Sequence, residues 1–169
     1  MSPAIRLDPM TPEQFAAFLQ QSIPSYARDG VTAGRWAAAE SERFAQQEFD
    51  RLLPAGAATP DHWFAIIRTV PGGERVGHLW WSIQRRGTPP VGFVFDLLID
   101  PAQRRKGFAE AALRAAEDDV RAKGADRMGL NVFAVNAGAL ALYTKLGYVP
   151  TGHAMLHRFD ARPTAPRQG

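Results

Sequence analysis

The sequence contains no cysteine, which excludes a disulfide scaffold, a thiol nucleophile and a cysteine-based metal site. It has little net charge: 20 Lys and Arg against 17 Asp and Glu leave a formal +3. That excess is too small for a nucleic-acid binder, but it suits a partner with a few phosphates if the cations are gathered in one place. No apolar run approaches the roughly 20 residues needed to cross a bilayer. The opening stretch MSPAIRLDPM lacks a charged region followed by an apolar one. A soluble, cytoplasmic protein without a secretory leader or membrane partner is therefore expected. No internal repeat of about 20 to 50 residues is present. The histidines, His62, His78, His153 and His157, are scattered. His153 and His157 would share a face of a strand but have no third ligand beside them, so no metal is expected.

Apolar residues make up 46% of the 169 residues and charged residues 22%, enough apolar material for a full core. The length fits one domain, expected over residues 1–160, with a flexible Pro-rich tail at 161–169. Ile5 and Leu7 alternate as in a short strand. The stretch TPEQFAAFL then reads as a helix start, with Thr11 as N-cap, Pro12 at the first position and Gln14 closing a capping box. Pro24 and Gly30 are expected to break that helix, and a second should cover about 35–53. Residues 1–60 thus form a strand and a helical arm. From Asp61 the pattern changes to strands. HWFAIIRTV and ERVGHLWWSIQ flank PGG as in a hairpin, and VGFVFDLLI is a third, mostly apolar strand. GFAEAALRAAEDDVRAKG reads as a helix that buries Ala112, Leu113, Ala116 and Val120 and ends at Gly124. MGLNVFAV reads as a strand. NAGALALYTKLG reads as a helix with Asn136 as N-cap, and YVPTG with HAMLHRF as a last hairpin or strand pair. The order is that of a mixed α/β fold.

One stretch asks for a ligand. Arg104, Arg105 and Lys106 stand where a strand turns into a helix, followed by Gly107. A helix N-terminus offers unpaired N–H groups and about half a positive charge, so an anion there is stabilised twice. Gly107 lets a phosphate approach the backbone. A solvated basic turn is the plain alternative. The glycine and Lys-Ser/Thr pattern of a nucleotide-triphosphate loop is missing, and so is the three-glycine dinucleotide fingerprint. Further on, Asn136 and Tyr143 lie seven residues apart, on one face of a helix, ahead of Gly147-Tyr148.

With these two segments the chain resembles the GNAT superfamily of N-acetyltransferases. Arg104-Arg105-Lys106-Gly107-Phe108-Ala109 matches the family's Arg/Gln-x-x-Gly-x-Gly/Ala motif, and Asn136, Tyr143 and Gly147-Tyr148 match the one that follows. The resemblance covers residues 91–159 closely. It implies a mixed, mostly antiparallel sheet with splayed central strands and flanking helices, binding acetyl-CoA as co-substrate and no metal. It implies that the pantetheine pairs with the strand at Leu98 and Ile99. The diphosphate would rest on Arg104, Arg105, Lys106, Gly107, Phe108 and Ala109, with Asn136, Ala139 and Tyr143 completing the cofactor site. Tyr143 would protonate the leaving thiolate, and a strand N–H near Leu98 would support the oxyanion.

Asp96 lies inside an apolar strand, where a carboxylate is costly unless paired or near water. It is a candidate base or anchor for a cationic substrate, or a structurally satisfied carboxylate. Period-two alternation sets Asp96 and Leu98 opposite to Phe95, Leu97 and Ile99. Asn131 and Phe133 would line the acceptor pocket from the partner strand. Tyr26 and Trp36, with Arg28 and Arg35, would shape it from the arm or anchor the arm on the sheet. Of Trp80 and Trp81, one is expected in the core and the other at the acceptor site or in a homodimer contact. The acceptor is expected to be a small-molecule or peptide amine. A non-catalytic acyl-CoA-binding module would keep residues 104–109 without depending on Tyr143. A nucleic-acid partner is disfavoured by Glu117, Asp118 and Asp119 close behind the basic run.

Overall fold

The computed structural model describes residues 3–87, 89–157 and 159. The tail expected at 161–169 lies outside the described residues. The elements are β1 (Ile5–Pro9), α1 (Pro12–Thr32), α2 (Ser41–Leu52), β2 (His62–Thr69), β3 (Arg75–Gln84), β4 (Val91–Ile99), α3 (Phe108–Ala122), β5 (Met128–Leu130) and α4 (Ala137–Lys145). The strands form one five-stranded sheet in the order β1-β2-β3-β4-β5. Every pair is antiparallel except β4 with β5, which is parallel. This is the mixed, mostly antiparallel sheet with flanking helices that the sequence implied.

The sheet buries both faces. On one, α3 packs Ala112, Leu113, Ala116 and Val120 against Val76, Leu79, Trp81 and Val94. Its alanines bring the helix close to the strands, and Gly92 takes up the contact with Val120. On the other face, α1 and α2 supply Phe15, Phe18, Ala45 and Phe49, which surround Phe64 and Trp80. Burying each of these large side chains stabilises the fold by about 1.5–3 kcal/mol. Both tryptophans are therefore core residues on opposite faces, 2% and 6% exposed, which corrects the expectation that one would lie at the surface. Their N–H groups donate to His62 Nδ1 (2.9 Å) and Asp119 Oδ2 (2.8 Å).

α1 opens with the expected capping box: Gln14 N–H donates to Thr11 Oγ1 at 3.3 Å, and Thr11 N–H to Gln14 Oε1 at 2.9 Å. It does not break at Pro24 or Gly30 but runs on to Thr32. Pro24 removes one intrahelical hydrogen bond. The buried face made by Phe15, Phe18, Ile23 and Ala27 continues through it and outweighs that loss. α2 starts at Ser41 rather than near residue 35, after a 3-10 turn at Ala38–Glu40.

Two further expectations fail at the far edge. The strand read from MGLNVFAV holds only Met128–Leu130, so Asn131 and Phe133 lie beyond its end. Among the described residues the last strand pair is not formed either. Residues 149–157 and 159 are in no regular element and are exposed, apolar Val149, Met155, Leu156 and Phe159 among them. A three-residue β5 offers little ladder on which to register them.

Candidate active site

The site is built around an irregularity in β4. The β3–β4 register passes from Trp80 opposite Asp96 to Trp81 opposite Val94, so Phe95 has no partner. Such a bulge inserts one residue and turns side chains off their period-two faces. Phe95 and Asp96 both lie on the α1 side: Phe95 stacks on Trp80 at 4.4 Å, and Asp96 Oδ2 accepts from Ser22 of α1. Leu97 and Ile99 pack against the α3-side core. The alternation expected for Phe95 is thus corrected, because the bulge adds a residue between Val94 and Asp96.

β4 is also where the sheet opens. Its ladder with β5 runs only from Gly92–Met128 to Val94–Leu130. From Phe95 to Ile99 the strand keeps β3 on one side and has no β5 partner on the other. Asp100 N–H donates to the Val76 carbonyl, so by antiparallel alternation Leu98 and Asp96 turn their peptide groups to β3. Leu97 and Ile99 turn theirs to the open side. Of the two strand positions expected to meet a ligand, Ile99 faces the gap and Leu98 is bound into the ladder. The Ile99 carbonyl accepts from Arg104 Nε at 3.1 Å.

Beyond β4 the chain passes through a 3-10 turn (Pro101–Gln103) into the basic loop. Arg105 and Gly107 both adopt left-handed backbone, with φ of 63° and 86°. Gly107 is the N-cap of α3 without a capping side chain, and a Cβ on it would lie 3.0 Å from Pro3 Cδ. Among the described residues, no hydrogen bond is made by the N–H groups of Lys106, Gly107, Phe108 and Ala109. Open amides, a helix N-terminus and local cations fit an anionic group such as a diphosphate. The three cations are not equivalent. Arg104 is folded onto Ile99, Lys106 Nζ donates to Gln103 Oε1 at 2.9 Å, and Arg105 has no partner among the described residues.

α4 carries the second motif. Asn136 caps it, accepting from Ala139 N–H at 3.1 Å, so both of these predicted cofactor residues are engaged in holding the helix start. Its far end is tied to α3: Lys145 Nζ donates to Glu110 Oε2 (2.6 Å), and Tyr148 O–H donates to Glu117 Oε1 (2.9 Å). Between these ties, Tyr143 packs half-buried on the core. Burial first, and then the charge of Asp96, push its hydroxyl above the ordinary tyrosine range.

The arm closes the opposite side. Tyr26 lies 6.4 Å, ring to ring, from Phe133 beyond β5. Its hydroxyl donates to Glu48 (3.0 Å) and accepts from Arg35 (2.5 Å), and Arg35 also pairs with Glu48. Trp36 packs edge-on to Tyr26 at 5.4 Å with Arg35 over its ring. Tyr26 and Trp36 thus sit in the network that fastens the arm, while Asn131 is exposed past β5. Sequence reasoning missed Ser22 and His78, which both reach Asp96. Nothing in their local spacing marks them.

Among the described residues no group of three His, Cys, Asp or Glu could hold a metal ion, and no helix is long and apolar enough to cross a membrane. The profile of the acetyltransferase (GNAT) family matches residues 27–148. The uncharacterised N-acetyltransferase YdgE of Bacillus subtilis is 34% identical over 152 residues, spanning 90% of this chain and 96% of its own. YycN of the same bacterium is 32% identical over 89% of this chain and 96% of its own. Its crystal structure superposes with a TM-score of 0.87 over 92% of this chain and 99% of that one, at 31% identity. An aminoglycoside N-acetyltransferase, AAC(6')-Iy, in complex with CoA shares the fold alone: 14% identity and a TM-score of 0.60 over 95% and 98% of the two chains. The chain belongs to the GNAT family of N-acetyltransferases.

Proposed function

We propose that the protein moves an acetyl group from acetyl-CoA to a primary amine by direct attack, with Tyr143 as general acid. What supports this reading is the open edge of β4 from Phe95 to Ile99, which leads into the basic loop with its free amides and carries Asp96, whose charge bears on Tyr143. Acetyl-CoA, the family's acetyl donor, supplies an acyl thioester. The loop amides of Lys106 to Ala109, with Arg105, hold the diphosphate. The Asp96 carboxylate binds the acceptor as its ammonium and accepts the proton that must leave before attack. The Leu97 N–H, on the open side two residues past the bulge, supports the carbonyl oxygen as charge develops. The C–N bond forms, the C–S bond breaks, Tyr143 gives its hydroxyl proton to the leaving sulfur, and the nitrogen releases its extra proton to solvent, from which the tyrosinate is reprotonated. A tyrosine held above its ordinary range stays protonated at neutral pH, as that role requires. Tyr26 and Asn131 border the side from which the amine enters, and Trp36 supports Tyr26.

The test is release of free CoA thiol on incubation with acetyl-CoA and a panel of amines: diamines, aminoglycosides, amino acids and peptide N-termini. Amine-dependent release, reduced in Tyr143→Phe, supports the proposal. Acetyl-CoA binding with no release on any amine would instead identify a non-catalytic acyl-CoA-binding module.

A further inference from the structure

Asp96 is gripped from behind through a single oxygen. Ser22 Oγ of α1 donates to Oδ2 at 2.6 Å, and His78 Nε2 of β3 lies 3.3 Å from the same atom. Both partners are core residues, 5% and 1% exposed, whereas the Asp96 side chain is 27% exposed. Among the described residues Oδ1 has no partner. We propose that His78, together with Ser22, is a positioning residue: with a proton on Nε2, it donates to Oδ2 and turns Oδ1 toward the acceptor amine. The inference rests on Asp96 serving the acceptor in the acetyl-transfer reading.

The proton inventory calls for a proton on Nε2. Ser22 has one hydroxyl proton, and Oδ2 takes it. A bare Nε2 would set its lone pair against a carboxylate oxygen, a repulsive contact in a buried site. In the Nε2–H tautomer Nδ1 is left as an acceptor. The ring also lines a cavity of about 30 Å³ with Gln14, Gln21 and Arg75, room for one water, and these side chains carry donors. The remaining neighbours are apolar: Phe18 of α1 stands edge-on at 5.1 Å, and Ile66 of β2 lines the same cavity. Asp96 is the charged group in contact with the ring, and Arg75, which lines the same cavity, pairs with Asp100.

Catalysis then uses only the outward oxygen. The acceptor's ammonium N–H breaks and an O–H forms on Oδ1. The two donors on Oδ2 stay in place throughout, and the proton leaves Oδ1 toward solvent through the exposed side of Asp96. The bulge brings Phe95 onto the same face as Asp96, where it stacks on Trp80.

Two measurements test this. Long-range proton–nitrogen spectra of labelled protein at neutral pH, with His78→Gln assigning the resonance, read the tautomer without any activity. A protonated Nε2 is expected, and a protonated Nδ1 with bare Nε2 overturns the proposal. Kinetically, His78→Leu should lower turnover of the amine by about ten- to a hundredfold. Acetyl-CoA affinity should hold, and His78→Gln, whose amide can donate to Oδ2, should recover most of the loss. Ser22→Ala, a smaller change to the core, should lower turnover in the same manner. Wild-type turnover in well-folded His78→Leu or Ser22→Ala overturns the proposal. If the Nε2 tautomer is found but the native protein acetylates no amine, the acetyl-transfer reading fails and the role of Oδ1 with it, leaving the hydrogen bonds standing.

Discussion

Gly77 lies where β3 passes closest to the functional stretch of β4. A Cβ built on it falls 2.0 Å from the Leu98 carbonyl oxygen and 3.1 Å from Ile99 Cα. Non-bonded heavy atoms normally rest about 3.5–4.0 Å apart, so Gly77→Ala requires β4 to retreat by about 1.5 Å. The obstructing atoms are backbone in a paired strand and cannot rotate away. Overpacking of this kind costs about 1–3 kcal/mol, and a backbone clash belongs at the upper end. For a chain of this length, about 3 kcal/mol lowers the melting temperature by about 6–12 °C. Two other glycines calibrate the result. At Gly92 the added carbon meets Val120, Cγ2 at 2.9 Å and Cβ at 3.1 Å, so α3 must give by a few tenths of an ångström rather than a paired strand by far more, and about 1 kcal/mol is expected. At Gly87 nothing lies within 4 Å, and the substitution should be silent. Thermal melts of the three variants should rank Gly77→Ala well below Gly92→Ala, with Gly87→Ala at wild type. Gly77→Ala should also weaken acetyl-CoA binding, because it displaces the open edge at Ile99. A Gly77→Ala protein melting within about 2 °C of wild type would refute the packing argument.

Tyr143→Phe should lower turnover by about a hundredfold with acetyl-CoA affinity retained, as expected for loss of a general acid; equal loss of binding would mean a structural role. Asn136→Ala removes the cap on Ala139 and should cost about 1 kcal/mol in chemical denaturation, with Asn136→Asp preserving it. Stability should fall as pH rises above about 10. Tyr26, Tyr143 and Tyr148 are all held above the ordinary range, first of all by burial. The unfolded chain loses those protons first, so it binds fewer protons than the folded state and gains stability relative to it. Urea midpoints that stay level from pH 9 to 11 would contradict this.

Local chemistry made much of the fold legible. The capping box at Thr11, the hairpin around PGG, the apolar β4 and the alanine stripe of α3 each rest on interactions within a few residues. Pro24 misled because a helix end was inferred from one lost hydrogen bond, whereas the buried face from Phe15 to Ala27 decides the outcome. The bulge at Phe95 was invisible because one extra residue leaves an apolar run looking the same while turning Phe95 onto the α1 face beside Asp96. Ser22 and His78 could not be found from spacing, since they lie 74 and 18 residues from Asp96. The basic loop was legible as three cations ahead of a helix start, but their division of labour was not. That Arg104 is folded onto Ile99 while Arg105 stands outward depends on the left-handed turn at Arg105.

The most direct test of the central claim is calorimetric titration with acetyl-CoA, and CoA alongside, of the wild type and of Arg105→Glu/Lys106→Glu. The account predicts saturable binding of both ligands to the wild type, falling steeply in the double variant while its melting temperature holds. Binding that ignores the charge reversal, or no binding of either ligand to folded wild-type protein, would contradict it.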